Sequence, residues 1–380
     1  MIPSFPMPYF LPTRIHFGEG CLKELSTLPA VSKAKRIALV IGGKSLRKTG
    51  TLTRIESLLH GKTVTLLEGI PETPGPADLA QAVKRMQEAS TECVIAIGGG
   101  SVLDLAKAAA FAVTQNVPPL DLLHKKLPAT PSASLPFVAV PTTAGTGSEV
   151  TPWSVFWDRE TKTKYSLSHP LMFPGDALVD PELTYSVPPH ITANTGMDAF
   201  TQACEAYWNK NCNPTSDAFA LEAVQRILPA LPKAVADGQD QSARHDMMQG
   251  SLRAGQAFSN TRTTACHSIS YPMTLYFGIP HGQAVGITLP EILVLNALRM
   301  DEERRKRFCS AIGVKTIEDA ANRIREMMTA SGLQTRLSKI GIPREGIATI
   351  VEHGFTPGRM DNNPYPLTPE TLRELLIRIF

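Results

Sequence analysis

Between residues 36 and 179 the chain alternates short, unbroken apolar runs with stretches of helical spacing, and after Asp180-Pro181 the apolar runs disappear. Arg36-Ile37-Ala38-Leu39-Val40-Ile41 is a buried-strand candidate that ends in Gly42-Gly43. Thr63-Val64-Thr65-Leu66-Leu67 is a second. Cys93-Val94-Ile95-Ala96-Ile97 is a third, running straight into Gly98-Gly99-Gly100-Ser101 and an alanine-rich helix that ends near Val113. Phe137-Val138-Ala139-Val140 and Ala177-Leu178-Val179 read as the fourth and fifth. Residues 77–90 carry Leu79, Val83 and Met86 on one helical stripe. Strands apolar on both sides cannot leave a face in water, so the pattern predicts a parallel sheet covered on both faces. From there on, helix-compatible segments follow at 197–209, 215–228, 243–259, 282–297, 317–331 and 368–379. A chain of 380 residues is long enough for two cores. The expected organisation is an α/β domain over 1–186 and an all-helical domain over 187–380, divided near Val187-Pro188-Pro189.

The first functional signal lies at the carboxyl ends of the strands. Gly98-Gly99-Gly100-Ser101 sits at a strand-to-helix turn, where bare backbone N–H groups and the helix N-terminus can hold a pyrophosphate. A tight turn without a ligand would use the same residues. Pro141-Thr142-Thr143-Ala144-Gly145-Thr146-Gly147-Ser148-Glu149-Val150 follows the fourth strand at the same edge. The second signal lies in the helical half. Asp198 and Gln202 are four apart in a segment free of Gly and Pro, which puts both side chains on one helical face. His267 and His281 lie further on, the latter in Pro280-His281-Gly282. One carboxylate, two imidazoles and an amide oxygen suit Fe²⁺ or Zn²⁺, and the lack of a cysteine ligand leans away from a structural zinc site.

These stretches closely resemble the iron-containing (group III) metal-dependent alcohol dehydrogenases, over nearly the whole chain from Pro12-Thr13-Arg14-Ile15-His16-Phe17-Gly18 onward. The family pattern is an Asp, a His four residues later, then two more His, the last in Pro-His-Gly. This chain matches at Asp198, His267 and His281 and departs at Gln202, which keeps an oxygen donor in place of an imidazole. The resemblance implies a dehydroquinate synthase-like architecture, with an N-terminal dinucleotide-binding α/β domain and an all-α metal-binding domain. It also implies a homodimer. Gly98-Gly99-Gly100-Ser101 followed by Asp104 and Lys107 is close to the family's cofactor motif. The loop with Thr142, Thr143 and Thr146 would contact phosphate, ribose and nicotinamide, and Lys164 aligns with a ribose-contacting lysine, with a plain surface residue as the alternative. NAD-preferring members place an Asp after the first strand. Here Gly42-Gly43-Lys44-Ser45 stands there, with Arg47 and Lys48 nearby, so the implied cofactor is NAD(P)H of either kind.

Two departures bear on the reaction. Tyr271 stands where the common pattern has a second His, and reads either as a proton donor or as packing against the cofactor. Arg262 replaces a commonly apolar residue, five positions before His267, a spacing that on a helix keeps it within reach of the metal. Its planar fork suits phosphonate, sulfonate or carboxylate oxygens, and a structural ion pair is the alternative. Ser259-Asn260-Thr261-Arg262-Thr263, His267-Ser268-Ile269-Ser270-Tyr271-Pro272 and Glu205-Ala206-Tyr207-Trp208-Asn209 look like the branch that reduces sulfoacetaldehyde or phosphonoacetaldehyde. The expected substrate is therefore a small anionic aldehyde, with Arg359, near Asn362-Asn363-Pro364, as the next anion-binding candidate. A general short-chain alcohol or diol dehydrogenase of the same family is the near rival. A dehydroquinate synthase, or a nucleotide-binding protein that has lost catalysis, is more remote.

Composition excludes several other classes. A formal charge of +3 with scattered basic residues gives no nucleic-acid surface. The run Arg304-Arg305-Lys306-Arg307 after Asp301-Glu302-Glu303 reads as a solvated helix face. Six cysteines without a Cys-x-x-Cys pair, an N-terminus without a signal-peptide pattern and the lack of a membrane-length apolar run point to the cytoplasm, with no membrane partner.

Overall fold

The computed structural model describes residues 8–115, 117–158 and 160–380. Residues 1–7, which carry most of the segment read against a signal peptide, lie outside the described residues. The chain forms two compact units. One comprises Leu11–Thr143 and Gly147–Ser186; the other comprises Val187–Phe380, the described residues before Leu11, and Ala144–Thr146.

Among the described residues the first unit contains eight strands: β1 (Arg14–Phe17), β2 (Arg36–Ile41), β3 (Thr63–Leu67), β4 (Cys93–Gly98), β5 (Phe137–Pro141), β6 (Trp153–Asp158), β7 (Thr163–Ser168) and β8 (Asp176–Val179). Six form one parallel sheet in the order β1-β8-β5-β4-β2-β3. Successive residues point to opposite faces. Ala38, Val40, Val94, Ala96 and Ala139 enter the core that holds the Gly100–Ala112 helix. Ile37, Leu39, Ile95, Ile97, Val138 and Val140 enter a second core on the other face. Both faces are covered, which is why these strands read as unbroken apolar runs. The expected parallel sheet is present.

Three strands escaped that pattern. β1 is a four-residue edge strand whose Arg14 and His16 turn toward Asp176 and Glu24 instead of into a core. β6 and β7 form a separate antiparallel hairpin of mixed polarity. Asp158 shapes its turn, with Oδ1 accepting from the backbone N–H groups of Glu160 and Thr161. Within the parallel sheet the chain steps outward from β2 to β3, then returns to β4 on the other side of β2. The winding thus reverses between β2 and β4, and ligands of such sheets bind beyond the strand ends at that reversal.

In the helical unit, Pro189–Trp208, Pro214–Ala236 and Gln241–Thr261 pack closely. A Cβ on Gly196 would lie 2.6 Å from Met247 Cε, and one on Gly250 would lie 2.5 Å from Ile227 Cγ1. The second helix continues through Pro229 and Pro232, past the expected end at 228. Ala230, Leu231 and Ala234 carry its buried stripe onward, and that burial outweighs the missing N–H donors. The expected 282–297 helix instead divides into His281–Gly286 and Leu289–Ala297, the latter with Pro290 in its first turn. Among the described residues no helix is long and apolar enough to cross a membrane. All six cysteines are buried thiols.

The basic run at 304–307 does lie on a helix, Glu302–Ile312, but Arg304 is not part of a solvated face. Its Nη1 meets Asp217 Oδ2 at 2.6 Å, its guanidinium lies 4.3 Å from the Tyr207 ring centre, and a second nitrogen donates to the Tyr207 carbonyl. Asp217 and Arg304 keep only 5% and 11% of their side chains exposed. Removing one partner leaves a buried charge uncompensated. Asp217→Ala is therefore expected to lower the unfolding free energy by about 3–5 kcal/mol, read from denaturant melts, with Asp217→Leu/Arg304→Leu recovering much of the loss.

Candidate active site

One face of the Pro189–Trp208 helix presents Asp198, Gln202 and Glu205, spaced i, i+4, i+7 and all buried. His267 comes from the first turn of the Ala265–Phe277 helix, and His281 opens the His281–Gly286 helix. His267 Nε2 lies 3.2 Å from Asp198 Oδ1, and His281 Nε2 lies 3.7 Å from the same oxygen. Ligand atoms of Asp198, His267 and His281 all fall within 4.8 Å of one another. The Pro-His-Gly triplet has a steric reason. Pro280 caps the short helix, and Gly282 rests on the Asn194 backbone carbonyl, where any Cβ would collide. Asn194 is one turn before Asp198, and its Oδ1 accepts from Gln283 N at 2.9 Å. That close approach sets His281 beside the carboxylate.

The donor set fits a divalent cation. A carboxylate and two imidazoles converge, and one turn along, the amide oxygen of Gln202 is buried with no hydrogen-bond donor reaching it among the described residues. A buried acceptor of that kind calls for a partner. Asp198, His267 and His281 could hold the ion, with Gln202 as a fourth oxygen donor.

Glu205 supports this arrangement from behind. It is fully buried, and its Oε1 accepts from Thr264 Oγ1 at 2.9 Å, Cys266 N at 2.7 Å and His267 N at 3.3 Å. Thr264, the N-cap of the Ala265–Phe277 helix, supplies no side-chain cap, so Glu205 satisfies that helix's first-turn donors from another helix. Its Oε2 lies 2.5 Å from His267 Nδ1. That contact places the Nδ1 proton toward Glu205 and turns Nε2 toward Asp198, the nitrogen that could serve a metal. Burial pushes the His267 pKa down, but the Glu205 charge and bonds to Asp198 and Glu205 more than reverse it, to about 10. Burial likewise works to raise Glu205, and the His267 contact outweighs it, leaving the carboxyl below its usual range. The i+7 spacing from Asp198 was the available signal for Glu205, which the ligand pattern alone passes over.

At the sheet's carboxyl edge, Gly42-Gly43 follows β2 and Gly98 ends β4, the two strands that flank the reversal. A Cβ on Gly98 would lie 2.6 Å from Val102 Cγ2, and one on Gly42 3.3 Å from the same atom. Bare glycine lets the Gly100–Ala112 helix start directly at the strand ends. Gly99 is its N-cap, and a Cβ there would lie 3.3 Å from Thr143 Oγ1. Thr142 N donates to Gly98 O at 3.0 Å. Gly99, Gly100, Ser101, Thr142 and Thr143 thus meet at one edge. The Ser101 hydroxyl turns to Glu72 O at 2.5 Å, leaving its backbone N–H for a ligand. Thr146 belongs to the helical unit, as does Gly145, whose Cβ would lie 2.7 Å from Thr195 Cβ.

Asp104 and Lys107 brace this loop. Asp104 accepts from Ser148 Oγ at 2.5 Å and Val155 N at 2.9 Å. Lys107 Nζ donates to Ser148 Oγ and Trp153 O, both at 2.9 Å. Burial lowers the Lys107 pKa to about 8 against the pull of Asp104 and Glu149. Lys164 is half-buried on β7 with Nζ 5.5 Å from the Trp157 ring centre, so it is not a freely solvated surface lysine. Lys44 and Ser45 are exposed, while Arg47 is held by both oxygens of Glu68.

Tyr271 lies one turn beyond His267, buried, its ring stacked on His281 at 6.3 Å between centres. Arg262 departs from expectation in its backbone. The helix ends at Thr261, and Arg262 to Thr264 form a non-helical link, so no continuous helix joins Arg262 to His267. Arg262 has φ 67° and ψ −175°, a region that L-residues avoid. Its carbonyl is held by Asn209 Nδ2 at 3.1 Å and Thr261 Oγ1 at 2.9 Å. Its guanidinium makes no ion pair among the described residues. Burial and then the charge of Arg359 lower its pKa.

A dinucleotide-type sheet edge and a carboxylate–imidazole cup in a helical unit define a metal-dependent, NAD(P)-linked oxidoreductase. The family profile described as iron-containing alcohol dehydrogenase matches residues 12–181, and that described as Fe-containing alcohol dehydrogenase family, C-terminal, matches residues 192–380. The chain belongs to the iron-containing alcohol dehydrogenase family, whose members use NAD(P) and an iron-type metal. Long-chain-alcohol dehydrogenase 1 of Geobacillus thermodenitrificans is 35% identical over 379 residues, 96% of this chain and 94% of the relative. The NADPH-dependent butanol dehydrogenase of Clostridium saccharobutylicum is 31% identical and covers 97% of each chain. The crystal structure of sulfoacetaldehyde reductase from Bifidobacterium kashiwanohense in complex with NAD+ aligns with a TM-score of 0.90 at 32% identity, covering 99% of both chains.

Glu205→Gln keeps the shape but removes the carboxylate behind His267. It is expected to weaken metal retention about 10–100-fold, measured by competition with a chelator of known affinity. Unchanged retention would show that His267 is oriented by other contacts.

Proposed function

We propose that this chain reduces a small anionic aldehyde to its alcohol with NAD(P)H and a divalent metal, Fe²⁺ or Zn²⁺. Sulfoacetaldehyde, giving isethionate, and phosphonoacetaldehyde, giving 2-hydroxyethylphosphonate, are the leading substrates. The observation that carries this reading is the Arg262 side chain, exposed and without a carboxylate partner among the described residues, next to the Arg359 charge. The alternative role for Arg262, a structural ion pair, has no support in these contacts. The similarity to a sulfoacetaldehyde reductase adds to the reading.

In this reading Asp198, Gln202, His267 and His281 hold the metal. Gly42, Gly43, Lys44, Ser45, Gly98, Gly99, Gly100, Ser101, Asp104, Thr142, Thr143, Thr146 and Lys164 serve the dinucleotide, and Asp104 also keeps the loop after β5 in place. The bound metal supplies Lewis acidity toward the carbonyl oxygen, and the reduced nicotinamide supplies the hydride. Per turnover the aldehyde takes one hydride and one proton, giving the alcohol and NAD(P)+. In this reading Tyr271, whose ring is stacked on His281, passes that proton through its phenol. Glu205 keeps His267 in its ligand tautomer, and Arg262 orients the substrate through its anionic end. The working protein is a cytoplasmic homodimer.

The second reading is a general short-chain alcohol dehydrogenase, favoured by relatives named for uncharged alcohols. Steady-state rates on sulfoacetaldehyde, phosphonoacetaldehyde and neutral aldehydes of similar size, each with NADH and NADPH, separate the two. Arg262→Leu is expected to cost about 2–4 kcal/mol in kcat/KM for the anionic aldehyde and little for a neutral one. Equal losses on both would reject the specificity role. Gln202→His should tighten metal binding, because imidazole is the better donor to either ion, and an unchanged dissociation constant would leave only three protein ligands.

A further inference from the structure

We propose that Arg262 and Arg359 together form a two-guanidinium seat for a doubly charged tail, so that a phosphonate aldehyde is preferred to a sulfonate aldehyde. This rests on the anionic-aldehyde reading and narrows it. The two arginines are neighbours within the helical unit. A Cβ on Gly358, the residue before Arg359, would lie 3.9 Å from Arg262 Nη1. Neither guanidinium forms an ion pair with a carboxylate among the described residues. Arg359 Nη1 donates to Gly358 O at 3.0 Å, and the one nearby acid in that loop, Asp361, accepts from Gly358 N at 2.9 Å. The charge of Arg359 adds to burial in lowering the Arg262 pKa. Two neighbouring like charges repel, and an anion seated on both reverses that repulsion.

The pair is also anchored to the elements that carry the metal ligands. Asn209, which caps the helix of Asp198 and Gln202, holds the Arg262 carbonyl. Ser268, next to His267, donates to Gly354 O at 2.6 Å and accepts from Thr356 N at 2.8 Å, fixing the segment that leads to Arg359. Asn362 Nδ2 donates to Thr263 O at 3.1 Å and to Gly358 O at 3.0 Å, tying the two arginine segments together. Both backbones are thus set before any ligand arrives. A single positive charge balances a sulfonate, a monoanion. Two match the second charge of a phosphonate, whose oxygens offer both forks an acceptor.

The test compares methylphosphonate and methanesulfonate as inhibitors of the metal-loaded wild-type enzyme at about pH 9, where the phosphonate is predominantly doubly charged. Methylphosphonate is expected to inhibit about tenfold more tightly or better, and kcat/KM should favour the phosphonate aldehyde over the sulfonate aldehyde in the same direction. Arg359→Leu should bring that phosphonate-to-sulfonate ratio close to one while keeping a preference for charged over neutral aldehydes. Arg359→Lys should restore part of it, since the charge returns without the fork. Equal or reversed inhibition by the two anions in the wild type, or a ratio unmoved by Arg359→Leu, would overturn the proposal. Equal losses on charged and neutral aldehydes in Arg262→Leu are a different result: they would overturn the underlying reading of Arg262.

Discussion

A carboxylate with no access to water has to be surrounded by donors, and in the helical unit that carboxylate is Glu205. Its two oxygens gather a threonine hydroxyl, two backbone N–H groups and an imidazole nitrogen from the segment 264–267. The indole of Trp208 extends the network by donating to Thr264 Oγ1 at 3.1 Å. One side chain therefore starts a helix, selects a tautomer and balances a buried imidazole. Capping and ligand placement are the same event here. Helix Ala265–Phe277 can begin only where Glu205 meets its first turn, and His267 can then point only toward Asp198. The close contact of Gly282 on Asn194 does the equivalent service for His281, by shape instead of charge.

The α/β unit solves a different problem, that of bringing bare backbone to a ligand. Glycine at the ends of β2 and β4 admits the Val102 side chain and with it the start of the Gly100–Ala112 helix. The loop after β5 is held by buried charge. Lys107 and Asp104 share Ser148, so an ammonium and a carboxylate fix the loop's path from beneath. Asp104 and Lys107, both part of the motif read in the sequence, thus also brace the loop.

What the sequence disclosed follows from which signals are local. Doubly buried strands announce themselves as apolar runs, so β2, β4, β5 and β8 were legible; β3, an edge strand with only Leu67 buried, was legible from its valine, threonine and leucine residues. β1 and the β6–β7 hairpin are short and mixed in polarity, and their pairing depends on partners far along the chain. Asp198 and Gln202 were legible as a helical pair, and the two histidines through their flanking triplets and family resemblance. Glu205 had the right spacing and stood in the Glu205–Asn209 stretch of the resemblance, but its contact with His267 was not legible, since it depends on the segment 264–267 far along the chain. Prolines misled in both directions. Pro229 and Pro232 sit inside a helix that burial sustains, and Pro290 opens a helix where continuity was expected. Arg304 shows the limit of reading charge runs, because an acid on another helix drew one member of the run inward. Arg262 was legible as an unusual residue, but the backbone that carries it was not.

That backbone has an evolutionary consequence. An arginine at φ 67° and ψ −175° holds a conformation in which glycine is at ease and which costs other residues about 1–3 kcal/mol. Drift under selection for folding alone would replace it with glycine and leave a sturdier protein. The same pull acts on any attempt to engineer heat resistance by relieving backbone strain: position 262 would rank among the first suggestions, and under the proposed anionic-aldehyde reading the more robust variant would lose its hold on charged substrates. In that reading robustness and discrimination are opposed at a single φ angle.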